Sequence, residues 1–251
     1  MKITILGSGT LFLTKNRFPS SFLLEDKGTK MLIDCGFGAI ARLAEIGIDH
    51  RDIDAIFISH FHTDHFGDCF NLVHSRFVGD IYEGRENKEL LIIGPASTAE
   101  RLKKWREIFW PEPKERYPIK FLEKISSNYC INSIGITTFP VVHVPWFESI
   151  GARMVVRDKI VVYPGDIGSS HNSSDLIRNS RNADLLIIEA GFEKPTPNHF
   201  TFEQIEELVR VADVKKVLIS HLKTADEKRV KEFVKSRTNF IVAEDKMVIE
   251  I

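Results

Sequence analysis

The chain has 251 residues, with 34 Lys and Arg against 35 Asp and Glu and a net charge of −1. That balance excludes a generally basic nucleic-acid binder, and 43% hydrophobic with 27% charged residues excludes a disordered or fibrous chain. Three scattered cysteines, Cys35, Cys69 and Cys130, form no disulfide framework or thiolate zinc site, which points to a reducing, cytoplasmic setting. The length allows a sizeable core without covalent staples.

The N-terminal MKITILGSGTLFLTK has a short apolar run over residues 3–6 that breaks at Gly7, unlike a signal sequence. No later stretch is long enough to span a bilayer. Further strands are predicted over 22–24, 31–33 and 55–58, with a helix over 39–46 between the last two. A helical pattern follows over 68–78, then a strand over 90–93 and a helix over 97–108. The second half repeats this grammar, with strands over 160–163, 185–188 and 217–219 and amphipathic helices over 202–211 and 227–235. Thr201 and Gln204 are spaced as a capping box. No linker divides the chain, so one domain over 1–251 is expected, of the layered α/β class. There is also an internal echo: MLIDCGF (31–37) resembles LIIEAGF (186–192), and DAIFISH (54–60) resembles KKVLISH (215–221).

The densest chemical signal is ISHFHTDHFGD, residues 58–68. Neutral imidazole and carboxylate are good ligands for zinc and similar divalent ions. His60 and His62, two apart after a strand, point to the same side and could grip one ion. Asp64 and His65 follow at the turn and could hold a second, although a one-metal motif would look similar. More ligand-type residues stand directly after apolar runs: His143 after ITTFPVV, Asp166 after IVVYPG and His221 after KKVLIS. Strand ends place ligands accurately.

The HxHxDH stretch from His60 to His65, followed in order by His143, Gly165-Asp166 and Ser220-His221, resembles the metallo-β-lactamase-fold hydrolases. LIDCG (32–36) and NHFT (198–201) fit the same pattern. The resemblance implies a four-layer αββα sandwich, with two mixed sheets between helical layers. It also implies a dinuclear site: His60, His62 and His143 on one ion, Asp64, His65 and His221 on the other, and Asp166 bridging. Zinc is the default metal, with manganese or iron compatible with the same ligands. A water shared by two such ions loses a proton near neutral pH, and the hydroxide attacks the substrate. Asp64 would orient that water or move its proton. Asp34, at the end of MLID, is expected to bond to the metal loop or to a histidine N–H.

Asp166 stands where antibiotic-hydrolysing relatives use cysteine, which argues against that activity. His199 resembles the extra histidine of the ribonuclease Z and phosphodiesterase branch, where it would protonate a leaving oxygen or bind phosphate. Only 22 residues separate His143 from Asp166, room for two strands and a turn but not for the long basic arm with which ribonuclease Z enzymes grip transfer RNA. A small phosphodiester, such as a cyclic nucleotide or cyclic phosphate, is therefore the expected substrate, and nucleic acid is not favoured. The rivals are a carboxylic ester, lactone, thioester or arylsulfate hydrolase on the same site, and a ribonuclease Z-like nuclease without the arm. Trp146, after His143, could stack on a base, but packing is the expected role; His50 is expected at the surface, with His74 and His171 as further pocket candidates. The basic face Arg101, Lys103, Lys104 and Arg106 reads as solvated. The aromatic segment 105–118 reads as a packed loop by default, with a lid or a homodimer contact as the alternatives. No membrane partner is expected.

Overall fold

The computed structural model describes residues 1–84, 87–109, 117–194 and 196–251. Two seven-stranded mixed sheets lie face to face with helices outside them, the expected αββα sandwich. The first sheet runs β14-β1-β2-β3-β4-β5-β6. Its strands are β1 (Lys2–Gly7), β2 (Ser21–Asp26), β3 (Thr29–Ile33), β4 (Ala55–Phe57), β5 (Leu90–Ile93), β6 (Ile119–Leu122) and β14 (Val248–Glu250). The second runs β13-β12-β11-β10-β9-β8-β7. It is built from β7 (Asn128–Ile131), β8 (Ile134–Val141), β9 (Ser149–Val156), β10 (Lys159–Tyr163), β11 (Leu185–Glu189), β12 (Val217–Ser220) and β13 (Phe240–Val242).

The inner strands are apolar on both faces because both faces are covered. Phe22, Leu24, Met31 and Ile33 point between the sheets and meet Ile134, Ile136, Met154 and Val161 of the other sheet. Leu23 and Leu32 alternate outward onto α1 (Ala39–Glu45) and α3 (Cys69–Tyr82). On the far side Val162, Leu186 and Val217 pack against α6 (Phe202–Ala212) and α7 (Glu227–Val234). Each such aliphatic or aromatic side chain contributes about 1.5–3 kcal/mol when fully buried. Thr201 and Gln204 form the expected capping box at the start of α6.

The internal echo marks two equivalent strand pairs. β3 and β4 are parallel neighbours in the first sheet, and β11 and β12 are parallel neighbours in the second. β10 is parallel to β11, and β8 shares its direction because β9 is antiparallel to both. The C-terminal ends of β3, β4, β8, β10, β11 and β12 therefore share one edge of the sandwich, where strand-end residues from both halves meet. Ile150 N–H donates to Ser59 C=O at 2.9 Å, tying the two sheets together there.

Among the local differences from the sequence reading, two concern helices. The metal-type motif does not stop at a turn: Thr63–Phe66 is a short helix, α2, before α3. An unexpected α5 (Ser173–Ser180) is polar in composition, and Asn172 caps it by accepting from Ser174 N–H at 3.0 Å. Among the described residues, no helix is long and apolar enough to cross a membrane.

Candidate metal centre

The strand ends bring seven of the sequence-predicted residues into two adjoining groups. His60, His62, His143 and Asp166 form one, and Asp64, His65 and His221 the other, with the potential ligand atoms of each group within 4.8 Å of one another. His60 follows β4. His62 lies on the same side two residues later, while Phe61 turns away to pack under the Arg101 guanidinium, 4.2 Å from its ring centroid. His143 follows β8, Asp166 follows β10 and His221 follows β12.

Asp166 lies between the groups. Its Oδ2 is 3.8 Å from His143 Nε2 and 3.5 Å from His221 Nε2, and its Oδ1 is 3.6 Å from His65 Nε2. Asp64 Oδ2 is 3.2 Å from His221 Nε2. The backbone is shaped for this convergence. Asp34 and His221 hold left-handed φ angles of 57° and 56°, which are costly outside glycine. Gly165 has φ 69°, and a Cβ there would fall 2.7 Å from that of Ser59.

Ring orientations are set from behind. Asp34 is fully buried and accepts four hydrogen bonds: from Ser59 N–H at 2.7 Å, Ser59 Oγ–H at 2.8 Å, Tyr163 O–H at 2.5 Å and His65 Nδ1–H at 2.6 Å. Because the Ser59 hydroxyl hydrogen is used on Asp34, Ser59 Oγ accepts from His60 Nδ1–H at 3.0 Å. His143 Nδ1–H donates to Asn198 C=O at 2.9 Å. Those bonds fix tautomers that turn the Nε2 lone pairs of His60, His65 and His143 toward the cluster. His62 turns Nδ1 inward, 3.0 Å from His60 Nε2 and 3.4 Å from His143 Nε2.

These residues fit a divalent cation. Nitrogen lone pairs converge without enough donors to satisfy them, and His65 Nε2 is buried with no hydrogen-bond partner among the described residues. Burial pushes His60 well below the ordinary imidazole value, lowers His62 and takes His143 down to about 4, so these rings stay neutral as ligands must. Burial also opposes charge on His65, but Asp166, Asp34 and Asp64 outweigh it and hold that ring up at about 10. Burial would raise Asp64 and Asp166, yet the neighbouring histidines keep both below the usual carboxylate range. The cluster thus demands positive charge at its centre.

His199 stands beside it. Its ring stacks on Phe192, with centroids 5.0 Å apart, and lies 5.6 Å from that of His143. His199 Nδ1 is hydrogen-bonded to Glu189, whose other oxygen accepts from Ile167 N–H at 2.9 Å. Burial disfavours charge on the ring, but the Glu189 bond prevails and raises His199. Burial raises Glu189 itself. Sequence reasoning did not single out Glu189. The echo carried the signal, because Glu189 ends LIIE as Asp34 ends MLID and each anchors a histidine through Nδ1.

The remaining candidates fall outside the cluster. His171 is buried and accepts from Val142 N–H at 3.3 Å. His74 packs beside Phe70, with ring centroids 5.6 Å apart. His50 is half-buried beside Asp49 rather than fully at the surface. On α4 (Thr98–Phe109), Lys103 and Lys104 pair with Glu107 and Glu100, as a solvated face does. Trp146 does not pack as expected, being 68% exposed. Residues 110–116 of the aromatic segment lie outside the described residues.

The fold and this cluster define a metal-dependent hydrolase of the metallo-β-lactamase fold, in its ribonuclease Z and phosphodiesterase branch. The chain is similar to ribonuclease Z of Methanosarcina acetivorans, 28% identical over all of this chain and 98% of that protein. It shares its fold with the metallo-β-lactamase fold protein YhfI of Bacillus subtilis (TM-score 0.81, 24% identity, 100% and 99% of the two chains covered). The short form of human tRNase Z superposes nearly as well (TM-score 0.80, 20% identity, the same coverage). The chain belongs to the family of the anti-Pycsar protein Apyc1, whose model matches residues 1–244.

Proposed function

We propose that the protein is a dinuclear, zinc-dependent phosphodiesterase acting on a small phosphodiester, a cyclic nucleotide or cyclic phosphate. The observation that carries this reading is Asp166 standing between two histidine groups with the Glu189–His199 pair beside them. His60, His62 and His143 would hold one ion, Asp64, His65 and His221 the other, and Asp166 both. When bound, the ions supply Lewis acidity, activating water and neutralising charge on phosphate oxygens.

The chain's own residues do the rest. Asp64, held ionised by His221 and His65, accepts or orients a proton of the attacking water at Oδ2. His199, raised by Glu189, presents a protonated Nε2 for the leaving oxygen while Nδ1–H stays on Glu189. That acid suits an alkoxide leaving group, as a phosphodiester has, over the thiolate of a thioester. A small substrate fits the connection between His143 and Asp166, which is the β9–β10 hairpin and its flanking loops, with no arm to grip a folded RNA. The alignment with the Methanosarcina enzyme runs over 307 positions against 251 residues here, so that relative carries segments this chain lacks.

The test is turnover of bis(p-nitrophenyl) phosphate and of 2′,3′- and 3′,5′-cyclic nucleotides by zinc-loaded protein. Asp64→Ala and His199→Ala should each lose about 10²-fold or more in kcat while folding normally. Full activity in both variants would remove the assigned roles. A ribonuclease Z-like nuclease is the second reading, favoured by the name of that relative. Cleavage of precursor transfer RNA in preference to small substrates would establish it instead.

A further inference from the structure

Resting on the dinuclear reading, we infer that the buried Arg17 is a positioning residue for His221. It clamps the chain on both sides of that histidine and so sets how tightly the ion assigned to Asp64, His65 and His221 is held.

The need for a clamp shows in what His221 lacks. His60, His65 and His143 are each aimed by a hydrogen bond at Nδ1. The His221 ring meets Asp64 through Nε2 at 3.2 Å, but its Nδ1 has no hydrogen-bond partner among the described residues. Its aim must therefore come from the backbone. That backbone holds a φ of 56°, a conformation that persists outside glycine only where the surroundings over-determine it.

Arg17 supplies the surroundings, and the path can be followed bond by bond. Its side chain is 4% exposed. Nη1 has two hydrogens, and one goes to Ser8 Oγ at 2.7 Å and the other to Ala243 C=O at 2.7 Å. Each acceptor belongs to a residue that grips one flank of His221. After it, Leu222 N–H donates to Ser8 C=O at 2.9 Å, and Gly9 forms a parallel bridge with Leu222. Before it, Ala243 N–H donates to Ile219 C=O at 2.8 Å. Ser8 is itself held, because its N–H and Oγ–H both donate to Asp245 Oδ1, at 2.9 and 2.8 Å. Arg17 Nε donates to Glu227 Oε1 at 2.6 Å, in the first turn of α7. One planar guanidinium thus joins the loop after β1, the turn after β13 and the start of α7 around the end of β12.

A residue that only stabilised the fold would weaken both ions alike or neither. A clamp on His221 acts on one. Zinc binding to the metal-free full chain is followed by competition with a chromogenic chelator, and NMR of the cadmium-loaded protein reports the two sites separately. His221→Ala identifies the binding step and the resonance of its ion. In Arg17→Met that same step should weaken about 10- to 100-fold and its resonance should shift or broaden. The step and resonance of the His60, His62 and His143 ion should stay at wild type. Arg17→Lys keeps the charge but not the fork, so it should recover only part of the affinity. Ser8→Ala keeps Arg17 in place and removes one of the two Nη1 acceptors. It should weaken the His221 step about threefold or more, and it tests the same clamp should Arg17→Met fail to fold. Equal weakening of both steps, or neither step weakened in either variant, would overturn the inference and leave the dinuclear reading standing. A wild-type chain that binds a single ion would sink the dinuclear reading and the clamp with it.

Discussion

Asp34→Asn isolates the support behind the centre from the centre itself. Asparagine has the same shape as aspartate and tolerates the left-handed φ of 57° better than most residues, so backbone strain is nearly unchanged. What changes is acceptor capacity. One carboxylate oxygen takes Ser59 N–H, and the other takes Ser59 Oγ–H, Tyr163 O–H and His65 Nδ1–H. If the amide oxygen replaces the second of these, the NH2 group faces Ser59 N–H, donor to donor. If it replaces the first, the NH2 group faces three donors. The two hydroxyls can rotate, but His65 must surrender its Nδ1 proton or its position.

At least one buried, charge-assisted bond is lost either way, at about 1.5–3 kcal/mol. For a chain of this size that is a fall of roughly 4–10 °C in the midpoint of the metal-free protein. Disturbing His65 should also weaken divalent-metal binding about 10- to 100-fold. Tyr163→Phe removes a single donor and leaves no donor unpaired, so it should cost the low end of that range, about 1.5 kcal/mol. Thermal unfolding of the metal-free variants and zinc competition against a chromogenic chelator measure both effects. An Asp34→Asn protein with the wild-type midpoint and wild-type zinc affinity would show that the four bonds do not support the site.

Three further outcomes are expected. Gly165→Ala adds a Cβ 2.7 Å from that of Ser59 at φ 69°, so it should lower the thermal midpoint by the equivalent of about 2 kcal/mol or more and reduce bound metal; an unchanged midpoint would contradict the packing. Glu189→Gln keeps an acceptor for Ile167 N–H but removes the charge that raises His199, so kcat should fall about 10- to 100-fold with little change in KM. His50 and His171 are both lowered, by burial first, with Asp49 and Asp175 opposing it. The unfolded chain therefore takes up these two protons first, at about pH 6.5. Their contribution to stability is complete above that pH and is lost as pH falls toward the folded values. His50→Gln and His171→Gln should each flatten the acid-side fall of stability in urea unfolding, and an unchanged slope would remove the assignment.

How far the chain could be read in advance depended on whether a residue's role was encoded locally. The inner strands were legible because burial on both faces writes an unbroken apolar run, as in β3, β4, β11 and β12. The borders β6 and β7 are only partly buried, and IKFL and NYCI carry no such run. α5 was missed because SSDLIRNS has one fully buried apolar residue, Leu176, so tertiary contact rather than pattern holds it. The convergence of His60, His143, Asp166 and His221 was legible because each lies within three residues of a strand's end, and strands of one direction end at one edge.

Glu189 shows the limit of that logic and a way past it. A glutamate ending a buried strand looks like a cap, and nothing near it in sequence names His199, ten residues on, as its partner. Its meaning comes from comparing the halves. β3 ends in Asp34 and holds the ring of His65, while β11 ends in Glu189 and holds the ring of His199. The same strand-end acid thus serves two purposes. Buried under the cluster, it turns Nε2 of His65 inward toward the cluster. At the half-open margin, where His199 keeps about a quarter of its side chain exposed, it raises that ring above the ordinary imidazole value. The extra methylene of glutamate and the ring's access to solvent separate the two settings, so under the proposed reading one repeated device would supply both a ligand and an acid.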